Sequence, residues 1–161
     1  MRIDSTWSGS SVGRKKIMAG HIRARERQWR SCSSRPKRSG ELSEESKRSH
    51  WMWWIFPQIT GLGMTSTSQE YSIKSMAEAK AYLEHPVLGK NIREISELLM
   101  TIRQSNASIV FGYPDDLKLR SSMTLFAEVS LDEDVFQRVL DKFFDGKKDT
   151  RTLAILRQIG E

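Results

Sequence analysis

Apolar residues recur at three- and four-residue spacing through the C-terminal two-thirds of this chain. Between Val87 and Gln104, Ile92, Ile95, Leu98, Leu99 and Ile102 share one side of a helical repeat, with Lys90, Arg93, Glu94 and Glu97 mostly off it. That is the pattern of an amphipathic helix. Upstream, Ser75-Met76-Ala77-Glu78 has the form of a capping box and opens a helix to about Glu84, with Met76, Ala79 and Leu83 on one face and His85-Pro86 as its stop. Downstream, Gly112-Tyr113-Pro114 makes a turn, and Asp115 and Asp116 suit the positive end of a helix running to about Ala127. A second capping box, Ser130-Leu131-Asp132-Glu133, predicts a helix over Asp132–Phe144 with Val135, Phe136, Val139, Leu140 and Phe143 inward and Gly146 beyond its end. Asp149 caps a last helix containing Leu153, Leu156 and Ile159. Short extended pieces are expected around Trp53–Phe56 and Ser108–Phe111, too few for a sheet.

The first 48 residues show neither period. Ser, Gly, Arg and Lys dominate, and Ile3, Trp7, Val12, Ile17 and Met18 are scattered, so too little surface can be buried to offset chain entropy. A short helix over Ala19–Trp29 has suitable composition but little to pack against. The expected fold class is therefore mainly α: one small helical domain over residues 47–161, preceded by a disordered basic arm over residues 1–46. A length of 161 residues suits one such domain.

Charge follows the same division. The net charge of +6 arises because residues 1–50 carry 13 Lys/Arg against 5 Asp/Glu, while residues 51–161 carry 13 against 15. A basic arm can bind phosphate backbones, but charge runs are usually solvated and the domain has no basic stripe, so nucleic acid is not the favoured partner. No run approaches the roughly 20 apolar residues that span a bilayer, and no secretory signal is evident, which points to a cytoplasmic protein without a membrane partner. Cys32 is the only cysteine, and His21, His50 and His85 lack ligand spacing. Neither a metal nor another cofactor is expected.

Candidate chemistry concentrates in two places. The run Ser-His-Trp-Met-Trp-Trp-Ile-Phe-Pro-Gln at residues 49–58 holds three of the five tryptophans. Trp51 and Trp53 could stack on a base, with His50 as proton donor and Gln58 as a polar contact; equally, the indoles could fill the core. Gly61 and Gly63 with Ser66, Thr67 and Ser68 could approach a phosphate or simply form a turn, and Tyr71 could close the pocket or pack. The second place is Asp115-Asp116-Leu117-Lys118, followed by Ser121-Ser122. Lys118, Ser121 and Ser122 share a helix face able to hold one anionic group, and Asp116 could act as general base; the alternative is that both acids cap the helix. A mid-helix Ser pair is less well explained by that alternative.

These motifs, with Gly61-Leu62-Gly63, Ser68-Gln69-Glu70-Tyr71, Tyr82-Leu83-Glu84-His85-Pro86-Val87-Leu88-Gly89, Ile109-Val110-Phe111-Gly112 and the continuation to Phe126, closely resemble the bacterial and fungal domain of unknown function 1810, sometimes labelled calpastatin, over roughly residues 47–157. The resemblance implies a small, mostly helical cytoplasmic protein without an assigned activity. The calpastatin label fits poorly, because an inhibitor of that kind is expected to be disordered. The order of helical motifs is also similar to N-glycosidase families of ADP-ribose and riboflavin-intermediate metabolism. That likeness implies a nucleotide-like small-molecule ligand and hydrolysis of an N-glycosidic bond, with Asp116 or His50 in acid–base work. The rival expectation is a non-catalytic module whose tryptophans bind a protein partner. Before Lys47 the chain departs from the family pattern of a Phe-Asp-Leu-x-Arg-Phe-type helix and a tyrosine-containing helix. Residues 1–45 are accordingly expected to derive from a shifted frame, a mis-set start or an alternative exon, with one core helix missing.

Overall fold

The computed structural model describes residues 16, 18–27, 29–30, 56–63 and 65–159. Among these, residues 16, 18–27 and 29–30 are helical and form helix α1. It is followed by α2 (Ser66–Glu70), α3 (Met76–Glu84), α4 (Leu88–Met100), α5 (Ala107–Phe111), α6 (Asp115–Val129), α7 (Val135–Phe144) and α8 (Thr150–Ile159). The sole β feature among the described residues is a parallel bridge between Ile59 and Ile73. The mainly α expectation holds, and the extended piece expected at Ser108–Phe111 is instead helix α5. Asn106 decides this locally, because its side chain accepts from the Ser108 and Ile109 amides at 3.0 and 3.3 Å and so nucleates a turn. The piece at Trp53–Phe56 lies outside the described residues apart from Phe56.

Helix α6 is the hub, packing on α3, α5, α7 and α8, while α4 joins α3 to α7. Its buried face carries Leu119, Met123, Leu125 and Phe126, and α7 contributes Val135, Phe136, Val139, Leu140 and Phe143 as the spacing predicts. Tyr82, Phe126 and Phe136 form a row of rings at 5.4 and 5.6 Å between centroids, joining α3, α6 and α7. Burial at this centre pushes the Tyr82 phenol well above its ordinary range.

Several element ends differ from expectation for identifiable reasons. The Ser75 hydroxyl caps α3 by accepting from the Glu78 amide at 3.1 Å, but the Glu78 carboxylate turns to the Lys74 amide and to α1, so the box is only half formed. On the same helix Met76 is exposed, and Glu78 and Tyr82 join Ala79 and Leu83 on the buried face. His85 ends α3 and also caps α4, its Nδ1 accepting from the Val87 and Leu88 amides at 3.1 and 3.2 Å. Gly89 packs against the Leu83 carbonyl, a space that a Cβ would fill. Helix α4 ends at Met100, four residues short of the expected limit, because Lys142 on α7 binds the carbonyls of Leu99, Met100 and Ile102. Asp149 caps α8 as expected, accepting from the Thr152 amide and hydroxyl at 2.9 and 2.6 Å, yet Thr152 and Leu156 are its buried positions and Ile159 is exposed.

The second expected capping box is displaced by tertiary pairing. Glu133 receives Arg93 in a two-point ion pair at 2.7 and 2.6 Å, and α7 starts at Val135. Hydrogen bonding from Arg93 holds the Glu133 carboxyl below its ordinary value of 4.5. A carboxyl depressed by folding contributes stability above its unfolded value and loses it as pH falls through the folded value. Glu133→Gln is therefore expected to flatten the acid limb of stability below about pH 4.5, read by urea unfolding between pH 3 and 6. A slope identical to the parent's would refute the linkage.

The expectation of an arm with nothing to pack against is corrected over α1. Ile22, Arg25 and Trp29 form a buried stripe at helical spacing, with Ile22 and Trp29 in the common core. Arg25 is the reason the stripe escapes a hydrophobic-pattern reading. It donates from Nη1 to the Tyr71 carbonyl at 2.8 Å, and from Nη2 to the Ser72 carbonyl at 2.7 Å and to Glu78 Oε1 at 3.2 Å. A charged residue here plays the part of a core residue because its donors meet fixed acceptors. The core therefore does receive a helix from the N-terminal third.

Candidate functional site

The chain segment ending in Gln58 is pinned by its neighbours. Phe56, Pro57 and Ile59 are buried, the Ile73 amide donates to the Gln58 carbonyl at 2.7 Å, and the Thr60 amide to the Ile73 carbonyl at 2.8 Å. With the backbone so held, the Gln58 side chain donates from Nε2 to Ser121 Oγ on α6 at 2.6 Å. The two sequence motifs are thereby brought together at one point. His50, Trp51 and Trp53 lie outside the described residues.

Along α6 the buried hydroxyls divide into two kinds. Ser121 donates back to the Leu117 and Lys118 carbonyls at 3.1 Å each, and Thr124 to the Arg120 carbonyl at 2.8 Å. Ser96 on α4 behaves likewise, donating to Ile92 at 2.7 Å. Such back-bonding is the default for a helical hydroxyl without another partner. Ser122 is 0% exposed and its Oγ has no partner; with Arg25 Nε it is one of two such buried side-chain atoms among the described residues. A buried hydroxyl left in this condition costs about 1–3 kcal/mol. Lys118, one turn before Ser122, is mostly buried and held at 3.3 Å from Asp115 Oδ1.

Asp116 faces elsewhere. Two positions on a helix are about 200° apart, so Asp116 and Lys118 point to nearly opposite sides. Asp116 Oδ2 accepts from Ser108 Oγ at 2.8 Å and Oδ1 from the Leu117 amide at 2.9 Å. It lines a separate surface pocket of about 370 Å³ whose walls include Asn106, Ser108, Arg120, Lys142 and Asp145. The sequence reading missed these walls. Arg120 lies four residues beyond Asp116 and is legible on a helical wheel, but the α5 residues were hidden by reading that segment as extended.

The Gly61–Tyr71 loop is closed on itself. Ser68 donates from Oγ to the Thr65 carbonyl at 2.8 Å and from its amide to Thr65 Oγ1 at 3.1 Å. Gly63 packs directly on the Ser68 side chain, leaving no room for a Cβ, so here glycine serves a turn. Tyr71 is partly buried and its carbonyl receives Arg25. No group of three His, Cys, Asp or Glu suited to a metal is found among the described residues. No helix among them is long and apolar enough to cross a membrane.

The model of the family described as "Protein of unknown function (DUF1810)" matches residues 20–156. The match begins well before residue 47, which places most of α1, including Ile22, Arg25 and Trp29, inside the matched segment. A solved structure, the conserved hypothetical protein Rv1873 from Mycobacterium tuberculosis, is 38% identical, with a TM-score of 0.73 over 87% of this chain and 96% of that one. No curated protein matches the chain.

Proposed function

The chain belongs to the DUF1810 family of proteins of unknown function, and from that premise we propose that it binds a nucleotide-like small molecule where Gln58 meets α6 and hydrolyses its N-glycosidic bond. The observation carrying this reading is Ser122 Oγ, fully buried and unpartnered one residue from the Gln58–Ser121 bond. Where the neighbouring hydroxyls satisfy themselves within the helix, this one keeps its capacity for another group. Lys118 supplies a positive charge on the same face, Trp51 and Trp53 the stacking surfaces, and Gln58 and Ser121 the polar contacts. Of the two acid–base candidates, His50 adjoins the tryptophans in sequence, whereas both Asp116 oxygens are engaged on a different side of α6. The acid–base role is thus assigned to His50.

Thermal shift with ADP-ribose, mononucleotides and flavin precursors, followed by chromatography for released base, tests the proposal. A ligand that binds the native state raises the melting temperature. Ser122→Ala is expected to leave the unliganded protein as stable or about 1 kcal/mol more stable, while weakening the ligand shift; Lys118→Ala weakens it further, and Asp116→Asn does not. Absence of a shift with every compound would overturn the binding reading, and binding without base release would overturn the hydrolytic one.

A further inference from the structure

The pocket beside Asp116 has its own chemistry, independent of the site proposed above. Four charged side chains line it, Asp116, Asp145, Arg120 and Lys142, yet the ion pairs among the described residues include none of them. Asp116 and Arg120 stand at i,i+4, where such residues ordinarily pair. They are diverted instead. Arg120 gives Nε and Nη2 to the Lys147 and Lys148 carbonyls at 3.0 Å each and lies over the Phe144 ring, leaving its Nη1 edge without a protein acceptor among the described residues. Lys142 spends its ammonium on three carbonyls at the end of α4. Asp116 is only 8% exposed and holds two neutral donors, so its carboxylate has no cationic partner among the described residues and each oxygen can accept a further hydrogen bond.

We infer that this pocket binds a small zwitterion of the α-amino-acid type, its ammonium between Asp116 and Asp145 and its carboxylate on the outer edge of Arg120. A ligand carrying both signs meets both unpaired charges, whereas a simple anion or cation meets one and leaves the other. Leu117, Phe143 and Phe144 also border the pocket, but its exposed lining is mostly polar, so recognition rests on the two charged ends of the ligand. A volume of about 370 Å³ accommodates such a molecule.

Isothermal titration of the full chain with L-leucine and L-phenylalanine tests this, with leucine amide and N-acetyl-leucine as probes that each lack one charge. Leucine or phenylalanine is expected to bind, and both derivatives to bind at least about tenfold more weakly, the loss typical of one charge-assisted hydrogen bond. Asp116→Asn and Arg120→Gln should show similar losses. Asp145 is exposed, so Asp145→Asn keeps the fold and decides the case if Asp116→Asn does not fold. No binding of either amino acid, equal binding of N-acetyl-leucine, or parental affinity in Asp145→Asn would overturn the inference.

Discussion

Arg25→Ala is expected to destabilise the protein by about 3–5 kcal/mol, the range for removing one partner of a buried ion pair, and to lower the melting temperature by on the order of 10 °C. Three acceptors lose their donor at once: the Tyr71 and Ser72 carbonyls and the Glu78 carboxylate, which is 2% exposed. The carboxylate dominates, since it would remain buried without its guanidinium partner, with His21 at 3.7 Å and the Lys74 ammonium as its remaining basic neighbours among the described residues. Arg25→Ala combined with Glu78→Ala should cost less than the sum of the two single changes, because the double variant leaves no stranded charge. Chemical unfolding of the four proteins measures this coupling. A loss below about 1 kcal/mol for Arg25→Ala would mean that α1 is not held to the domain by this contact. The experiment also asks whether the N-terminal third belongs to the cooperative unit, as the burial of Ile22 and Trp29 requires.

Phe126→Ala is expected to have an effect of the same size, about 3–5 kcal/mol, by a different mechanism. Phe126 is fully buried and stands between Tyr82 and Phe136, so its loss opens a cavity at the junction of α3, α6 and α7. Surrounding helices cannot close that space, because each is held by other contacts of the core. Phe144→Ala is the control: partly buried beside Phe143 and Arg120, it should lose roughly 1–2 kcal/mol, reflecting incomplete burial. Guanidinium unfolding monitored by circular dichroism separates the two. Equal losses at both positions would contradict the assignment of the core centre to Phe126.

The contrast between these variants shows where sequence patterning suffices. Phe136 belongs to a helical stripe whose period alone directs it inward, because burying apolar area is non-directional and demands only that the residues share a face, whereas Phe126 ends a run of consecutive buried residues, 121–126, that no single helix face accounts for. Arg25 belongs to an equally regular stripe, Ile22-Arg25-Trp29, but a guanidinium is buried only if particular acceptors await it. Those acceptors come from residues some 50 positions away, and nothing local announces them. The same reasoning explains Glu133, which reads as a capping residue until Arg93 on α4 claims it.

The candidate sites divide in the same manner. The sequence marked Gln58, Lys118, Ser121 and Ser122 as polar residues in unusual settings, and the fold adds that Gln58 reaches Ser121 and that Ser122 stays unpartnered. It also marked Asp116, yet joined it to Lys118, from which helical geometry separates it. The pocket around Asp116 draws on α5, α6 and α7, and no single stretch of chain contains it.

By itself, then, the sequence determined the helical class, the main apolar faces, the caps at Ser75 and Asp149 and the family, since each depends on short-range periodicity or on motifs contiguous in the chain. The fold was needed to show that α1 enters the core, that the side chains of Glu133 and Lys142 pair with α4, and that Asp116 lines a pocket of its own. These outcomes depend on directional hydrogen bonds and charges satisfied across long sequence separations, and directionality is what a one-dimensional pattern of polar and apolar residues does not carry.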